Sequence, residues 1–202
     1  VEETLAFSPL VKQLIDALRV LPGVGPKSAQ RMAFYLLERE REGASRLAQI
    51  LALAIKQVGK CEKCRSLCEK PLCAICENKN RDRSILCIVE GPAHLAAIEQ
   101  TGGFHGVYFV LTGRLSPIDG IGPEDIGIDQ LALHLKEGVV KEVILATNAT
   151  VEGEATAYYI ADLVRSFNIR ATRIAHGVPM GGDLEYIDGG TLAKALADRA
   201  TV

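Results

Sequence analysis

The 202-residue chain is predicted to be a multi-part α+β protein: N-terminal helices, a compact four-cysteine module, then an α/β parallel sheet with a Gly-rich tail. Three observations predict this. Apolar residues recur at helical spacing as far as Val58. Two C-x-x-C pairs follow between Cys61 and Cys76. From Ile85 onward, short β-branched runs alternate with helix-length stretches, the pattern of parallel strands joined by crossover helices.

Ser8-Pro9 opens the first helix, since Ser can cap and Pro suits the first helical position. Leu10, Leu14, Leu18 and Leu21 continue it, with Val11 and Ile15 widening the apolar stripe. Pro22-Gly23-Val24-Gly25-Pro26 breaks the chain, and a second helix restarts with Ala29, Met32, Ala33 and Leu36 on one face. Gly43-Ala44-Ser45 reads as a stop and a new cap. Leu47, Ile50, Leu51, Ala54 and Val58 form a third stripe. The three helices are expected to build a small satellite core.

Gly23 and Gly25 permit a tight hairpin between the first two helices. Its backbone N–H groups, with those at the start of the second helix, form an anion cradle. Lys27 lies in the first turn beside it, and Arg31 follows one turn later on the same face. Such a device grips phosphodiester without touching base edges, so it binds nucleic acid with little sequence preference. A G-x-G alone also fits an ordinary helical corner; the flanking prolines and the two cations favour the phosphate reading. A P-loop does not fit, because Gly25-Pro26-Lys27-Ser28 lacks the glycine spacing, the Gly-Lys pair and a preceding strand.

Cys61-x2-Cys64-x8-Cys73-x2-Cys76 presents two knuckles whose four sulfurs close a tetrahedron, leaving no open position. A structural Zn²⁺ is expected; iron of the same geometry and a pair of redox dithiols are the alternatives. Cys68 lies inside the loop and could exchange with a ligand, whereas Cys87 falls in a strand and reads as core. A module this small has almost no apolar core, so the metal is expected to fold it.

The predicted strands are 85–89, 107–111, 143–147 and 169–175; the predicted helices are 92–101, 123–136, 152–167 and 191–199. Glu90 ends the first strand, and Glu152 and Glu154 follow the third. Carboxylates at the C-terminal edge of a parallel sheet stand where such folds place sites, and a cluster of them could hold Mg²⁺. Asn148 and Thr150 are neutral where further carboxylates would serve most, and Glu152 and Glu154 also suit a helix N-terminus. Arg173–Tyr186 leads from an apolar strand to Asp183 and Glu185 through a Gly-Pro-rich loop, read as a docking or oligomer contact. His94, His105, His134 and His176 show no ligand spacing.

Composition excludes several classes. With 48% hydrophobic and 24% charged residues the chain matches soluble globular proteins and not disordered ones. No apolar run approaches the roughly 18 residues of a membrane helix. The N-terminal VEETLAFSPL carries acids where a signal peptide needs a basic stretch, so a soluble intracellular protein is expected. The net charge of −2 hides an asymmetry: residues 1–87 hold 15 Lys and Arg against 10 Asp and Glu, and the remainder 8 against 15. A polyanion-facing first part and a protein- or metal-facing second part would account for it, as would ordinary solvated surface.

Taken together, Leu21–Leu37, the cysteine module, Cys87–Pro92, Leu115–Gly127, Val143–Thr156 and Arg173–Asp188 resemble the bacterial recombination mediator family RecR over nearly the whole chain. The resemblance implies a helix-hairpin-helix DNA-binding region over 1–58 and a four-cysteine zinc finger over 59–80. It implies a Rossmann-like Toprim domain over 81–168 and a Walker B-like segment over 169–202. It further implies a non-enzymatic DNA-repair protein that binds single- and double-stranded DNA in the cytoplasm, associated with the nucleoid. Such proteins work with RecO, and in some settings RecF, to load RecA on single-stranded DNA, as ring-like tetramers or dimers. The family's DNA-gripping residues fall on Lys27 and Arg31, and its zinc ligands on Cys61, Cys64, Cys73 and Cys76. Catalytic Toprim proteins carry a D-x-D ahead of E-G-E; here Asn148 and Thr150 stand at those places, while Glu90, Glu152 and Glu154 remain. The expectation is a docking surface for RecO on these glutamates. A Toprim-type metal-dependent nuclease or primase is the enzymatic alternative, and a zinc-dependent interaction module without DNA is another.

Overall fold

A computed structural model describes residues 7–175, 177–179 and 181–199. The chain folds as two units, one ending at Val58 and the other beginning at Gly59.

The first unit holds α1 (Pro9–Leu18), α2 (Pro26–Glu38) and α3 (Arg41–Gln57). The Ser8 hydroxyl accepts from Val11 N at 3.4 Å, and Pro9 and Pro26 take the first positions of their helices. Helix α2 packs against both α1 and α3. Ala29 and Ala33 are fully buried, their small side chains allowing close approach, and the Phe7 ring meets Phe34 edge-on with centroids 5.4 Å apart. The expected satellite core is smaller than the apolar stripes suggest, for α3 buries none of its residues.

Two expectations are corrected here. Leu21 belongs to the turn, because α1 ends at Leu18. Helix α3 begins at Arg41 and not after a cap at Ser45. The break falls at Arg39–Glu40, spanned by Arg41 Nε donating to Leu37 O at 2.7 Å. Gly43 lies within the first turns of α3, where an exposed glycine costs only about 1 kcal/mol relative to alanine.

The second unit starts with an antiparallel ribbon, β1 (Gly59–Lys60) and β2 (Leu67–Cys68), and the short α4 (Ala74–Glu77). Then come β3 (Asp82–Val89), α5 (Pro92–Gln100), β4 (Gly106–Val110), α6 (Ile128–Lys136), β5 (Glu142–Ala146), α7 (Val151–Ser166), β6 (Arg170–Arg173), a 3₁₀ turn at Leu184–Tyr186 and α8 (Gly189–Ala197). The sheet is parallel throughout, in the order β4-β3-β5-β6, with Ile88 beside Phe109 on one side and Leu145 on the other.

Strand alternation divides the apolar residues between two faces. Leu86, Ile88, Phe109, Val143 and Leu145 pack with Leu131 and Leu135 of α6 and Ile160 and Val164 of α7. Cys87, Val89, Tyr108 and Val110 form the opposite face with Leu95 and the four cysteines. The cysteine module therefore shares its core with the sheet. It is not the nearly coreless segment that the sequence suggests.

Helix α6 starts at Ile128, five residues after the predicted start at Pro123. Gly127 sits at φ +83°, which no helix contains, and Pro123–Gly127 form a turn closed by Ile128 N donating to Pro123 O at 3.1 Å. Strand β3 reaches back to Asp82, and β6 is shorter than 169–175 at both ends. Among the described residues no helix is long and apolar enough to cross a membrane.

Candidate nucleic-acid interface and metal centre

The α1–α2 hairpin is closed by Val24 N donating to Leu21 O at 3.1 Å, with Gly23 at φ +78°. Gly25 precedes α2 in an extended conformation, and no side chain caps this helix. The first N–H groups of a helix lack intrahelical partners, so the N-terminus of α2 keeps donors and the positive end of its dipole facing outward. Lys27 and Arg31 are both exposed, four residues apart on one helix face. Gly23, Gly25 and Lys27 thus lie together at the hairpin, with Arg31 one turn along. Arg31 also borders an apolar groove with Leu18, Leu21, Met32, Tyr35, Leu36 and Leu47.

In the second unit, Cys61, Cys64, Cys73 and Cys76 are all buried, and their Sγ atoms lie within 4.8 Å of one another. Zn–S bonds of about 2.3 Å in a tetrahedron separate sulfurs by about 3.8 Å, so the donor set fits a four-thiolate zinc ion. The Cys64 and Cys73 sulfurs stand 3.4 Å apart, and Cys73 N–H donates to Cys61 Sγ at 3.3 Å. A hydrogen bond from the Cys76 thiol, aided by Ser66, holds the Cys64 thiol well below its ordinary pKa against the opposing effect of burial. Cys68 stands outside the quartet and donates its thiol to Lys70 O at 2.9 Å. Cys87 is core, as expected, and burial pushes its thiol up to about 12.

The first knuckle is anchored to the sheet. Cys64 O accepts from Val110 N at 2.8 Å, covering the outer edge of β4. The next residue, Arg65, donates to Ile126 O at 2.7 Å and to Thr112 Oγ1 at 3.2 Å, with its guanidinium over the Phe109 ring. The second knuckle is tied to β3 by Arg83 donating to Cys76 O at 3.1 Å. Cysteine spacing alone gave no sign of these cationic anchors.

The third constellation lies at the C-terminal edge of the sheet, where the connections after β3 and β5 diverge. Glu90 is buried, and Asn148 holds both of its carboxylate oxygens: the backbone N–H donates to Oε1 and the side-chain amide to Oε2, each at 2.8 Å. Glu154 instead pairs with Arg173 of β6. Thr150 caps α7 by accepting from Gly153 N at 3.1 Å. A side chain at Gly153 would overlap Asn148 O and press on Glu90, so the glycine of the E-G-E run is needed for close approach. The side chain of Glu152 is half-buried. Among the described residues the cysteines are the quartet that gathers; the three glutamates do not form such a group. Asp183 and Glu185 are exposed around the 3₁₀ turn, while His176 and Met180 of the same segment, and the N-terminal acids, lie outside the described residues.

Four family models match the chain. The model described as "RecR, helix-hairpin-helix" matches residues 11–55, and the model of the RecR four-cysteine zinc finger domain matches 58–78. A Toprim domain model matches 84–175, and "RecR, C-terminal" matches 177–200. The chain is 59% identical over 196 residues to a protein of Saccharophagus degradans named "Recombination protein RecR", covering 97% of this chain and 100% of that one. A protein of the same name from Xanthomonas campestris pv. campestris is 58% identical over the same coverage.

Proposed function

The chain belongs to the RecR family, and on that premise we propose that it is a non-enzymatic recombination and repair protein. It holds single- and double-stranded DNA by the backbone and works with RecO, and in some settings RecF, in loading RecA. The proposed division of labour follows residues 1–58 for DNA, 59–80 for zinc, 81–168 for the Toprim docking surface and 169–202 for the Walker B-like segment.

One observation carries the reading. The uncapped start of α2, behind Gly23 and Gly25, sits with Lys27 and Arg31 on a single exposed face. Donors and positive charge are concentrated there, the groups that hold a phosphate backbone without carrying sequence information. A single hairpin contacts few phosphates, so several copies in a ring would raise affinity through effective concentration. The exposed apolar residues of α3 support assembly of this kind.

At the Toprim edge, an amide donor beside Glu90 and a cation on Glu154 occupy carboxylates that a catalytic Mg²⁺ would require. This supports the non-catalytic reading; Glu90, expected from the sequence to face a partner, is buried with both oxygens held by Asn148, so docking falls to Glu152 and the exposed side of Glu154. Charge reversal of Glu152 and Glu154 together is expected to abolish RecO binding; intact binding would move the contact elsewhere.

The deciding experiment measures binding of single- and double-stranded oligonucleotides of unrelated sequence at several salt concentrations. Lys27→Ala with Arg31→Ala should weaken all of them and flatten the salt dependence by about 0.9 logarithmic units per lost phosphate contact on duplexes and about 0.7 on single strands. Unchanged affinity would place the DNA surface elsewhere. Cutting of plasmid or single strands with Mg²⁺ or Mn²⁺, lost in Glu90→Gln, would replace this reading with the nuclease one.

A further inference from the structure

The residue after a proposed metal ligand holds both ends of a long loop. Between β4 and α6 the chain runs through residues 111–127 without a regular element, yet it is well organised. Ser116 and Ile121 exchange two backbone hydrogen bonds, 3.1 and 2.9 Å, and the Ser116 hydroxyl donates to Asp119 at 2.6 Å. Leu115 N donates to Thr156 Oγ1 at 3.0 Å. The result is a short hairpin whose tip carries Ile118, 93% exposed. The hairpin leaves the sheet beside Glu90, whose carbonyl accepts from Gly113 N at 2.9 Å.

Its two ends meet at one guanidinium. Arg65 Nη2 reaches Thr112 at the outgoing end, and Nη1 reaches the Ile126 carbonyl at the returning end. The space is reserved for this group: a side chain at Gly127 would overlap the guanidinium. Loop ends tied this way lose much of their freedom to separate.

Arg65 is in turn set by the knuckle. Its φ is +63°, a left-handed conformation that is unfavourable for a residue with a Cβ and persists only where its surroundings impose it. Those surroundings are the knuckle turn: Arg65 N donates to Cys61 O at 2.9 Å, and Cys61 N to Ser66 O at 2.8 Å. Cys61 and Cys64, the sulfurs of that turn, belong to the buried quartet. Cys64 itself grips β4 through Val110. A metal ion closing the turn would fix where the next side chain points.

We infer that Arg65 is a positioning residue through which occupancy of the four-cysteine site sets the shape of the 112–126 hairpin. The inference rests on the zinc reading of the quartet. It is independent of the DNA-binding reading of the first unit.

The test is hydrogen exchange on the full chain, with zinc content measured on each sample. Wild-type protein with zinc should exchange slowly over 113–126. Arg65→Ala should keep its zinc and exchange about tenfold faster there, with β5 unchanged. Wild-type protein stripped of zinc should show the same increase over 113–126, and stripping Arg65→Ala should add nothing further. Thr112→Ala, which removes one of the two bonds and leaves Arg65 in place, should give about a threefold increase. Should Arg65→Ala fail to fold, Thr112→Ala and the stripped wild type decide the matter.

Four results would overturn the inference: zinc removal that leaves the hairpin unchanged, unaltered exchange in the variants, equal loosening of β5, or loss of zinc from Arg65→Ala. Wild-type protein that holds no metal as purified would remove the zinc reading as well, and metal analysis separates that case from the others.

Discussion

Asn148 stands where a catalytic Toprim protein has a carboxylate, and its amide instead donates to Glu90. Amide in place of acid turns a repulsive pair into a hydrogen-bonded one, which compensates the burial of the Glu90 carboxylate. Asn148→Asp should lower stability at neutral pH by about 2 kcal/mol. Thermal melting should show a smaller loss in millimolar Mg²⁺, and wild-type melting at neutral pH would show that the amide is not what holds the acid. Glu99 offers a second residue-scale test. It pairs with Arg81 and accepts from Tyr108 OH at 2.6 Å. The Arg81 donors, reinforced by Tyr108, hold its carboxyl below the ordinary range despite partial burial. A native pKa below the unfolded value means that this contribution is present above a pH of about 4.3 and is lost as pH falls through the native value. Glu99→Gln should lower the melting temperature at pH 7 and flatten its decline between pH 5 and 3; an unaltered acid profile would remove the pair from the stability account.

At the scale of elements, the knuckles and the start of α7 are the informative pieces. Cys61→Ser or chelation should release the metal and loosen residues 59–78, because the thiolates otherwise bury charge without compensation. The cysteines share a core with Val89, Tyr108 and Val110, so β4 should lose protection in the same experiment. Limited proteolysis and circular dichroism would read both effects, and an unchanged metal-free module would end the zinc assignment. Thr150, at the other position where a catalytic Toprim has aspartate, serves here as the N-cap of α7. Thr150→Ala should cost about 1 kcal/mol, seen as a lower melting temperature. The two substituted positions thus have different structural work: one satisfies Glu90, the other begins a helix.

For the whole molecule, the exposed face of α3 bears on the proposed assembly of copies. The helix leaves Leu47, Ile50, Leu51, Leu53 and Ile55 exposed, too much apolar surface on one helix to be scattered solvent-facing residues. Ile50→Glu with Ile55→Glu is expected to reduce the mass in solution measured by light scattering. It should also weaken DNA binding more than it perturbs folding of the second unit, since avidity depends on linked copies. Unchanged mass would remove this face of α3 from the proposed assembly.

Features that adjacent residues can specify were legible in the chain before folding. The helical stripes, the Pro-bounded glycine hairpin, the knuckle spacing and the alternation of strands with crossover helices are local patterns, and each is present in the structure. Element ends were less legible: Gly43-Ala44-Ser45 has the composition of a stop, yet α3 runs through it, and the α6 start depended on Gly127 adopting a left-handed conformation. The long-range partners emerged from the folded arrangement alone. Arg65 meets residues 47 and 61 positions away, Asn148 meets Glu90 across 58, and Glu154 turns to Arg173. Such pairings are set by which strands lie side by side and by which charged groups share a desolvated edge. No window of neighbouring residues contains that information.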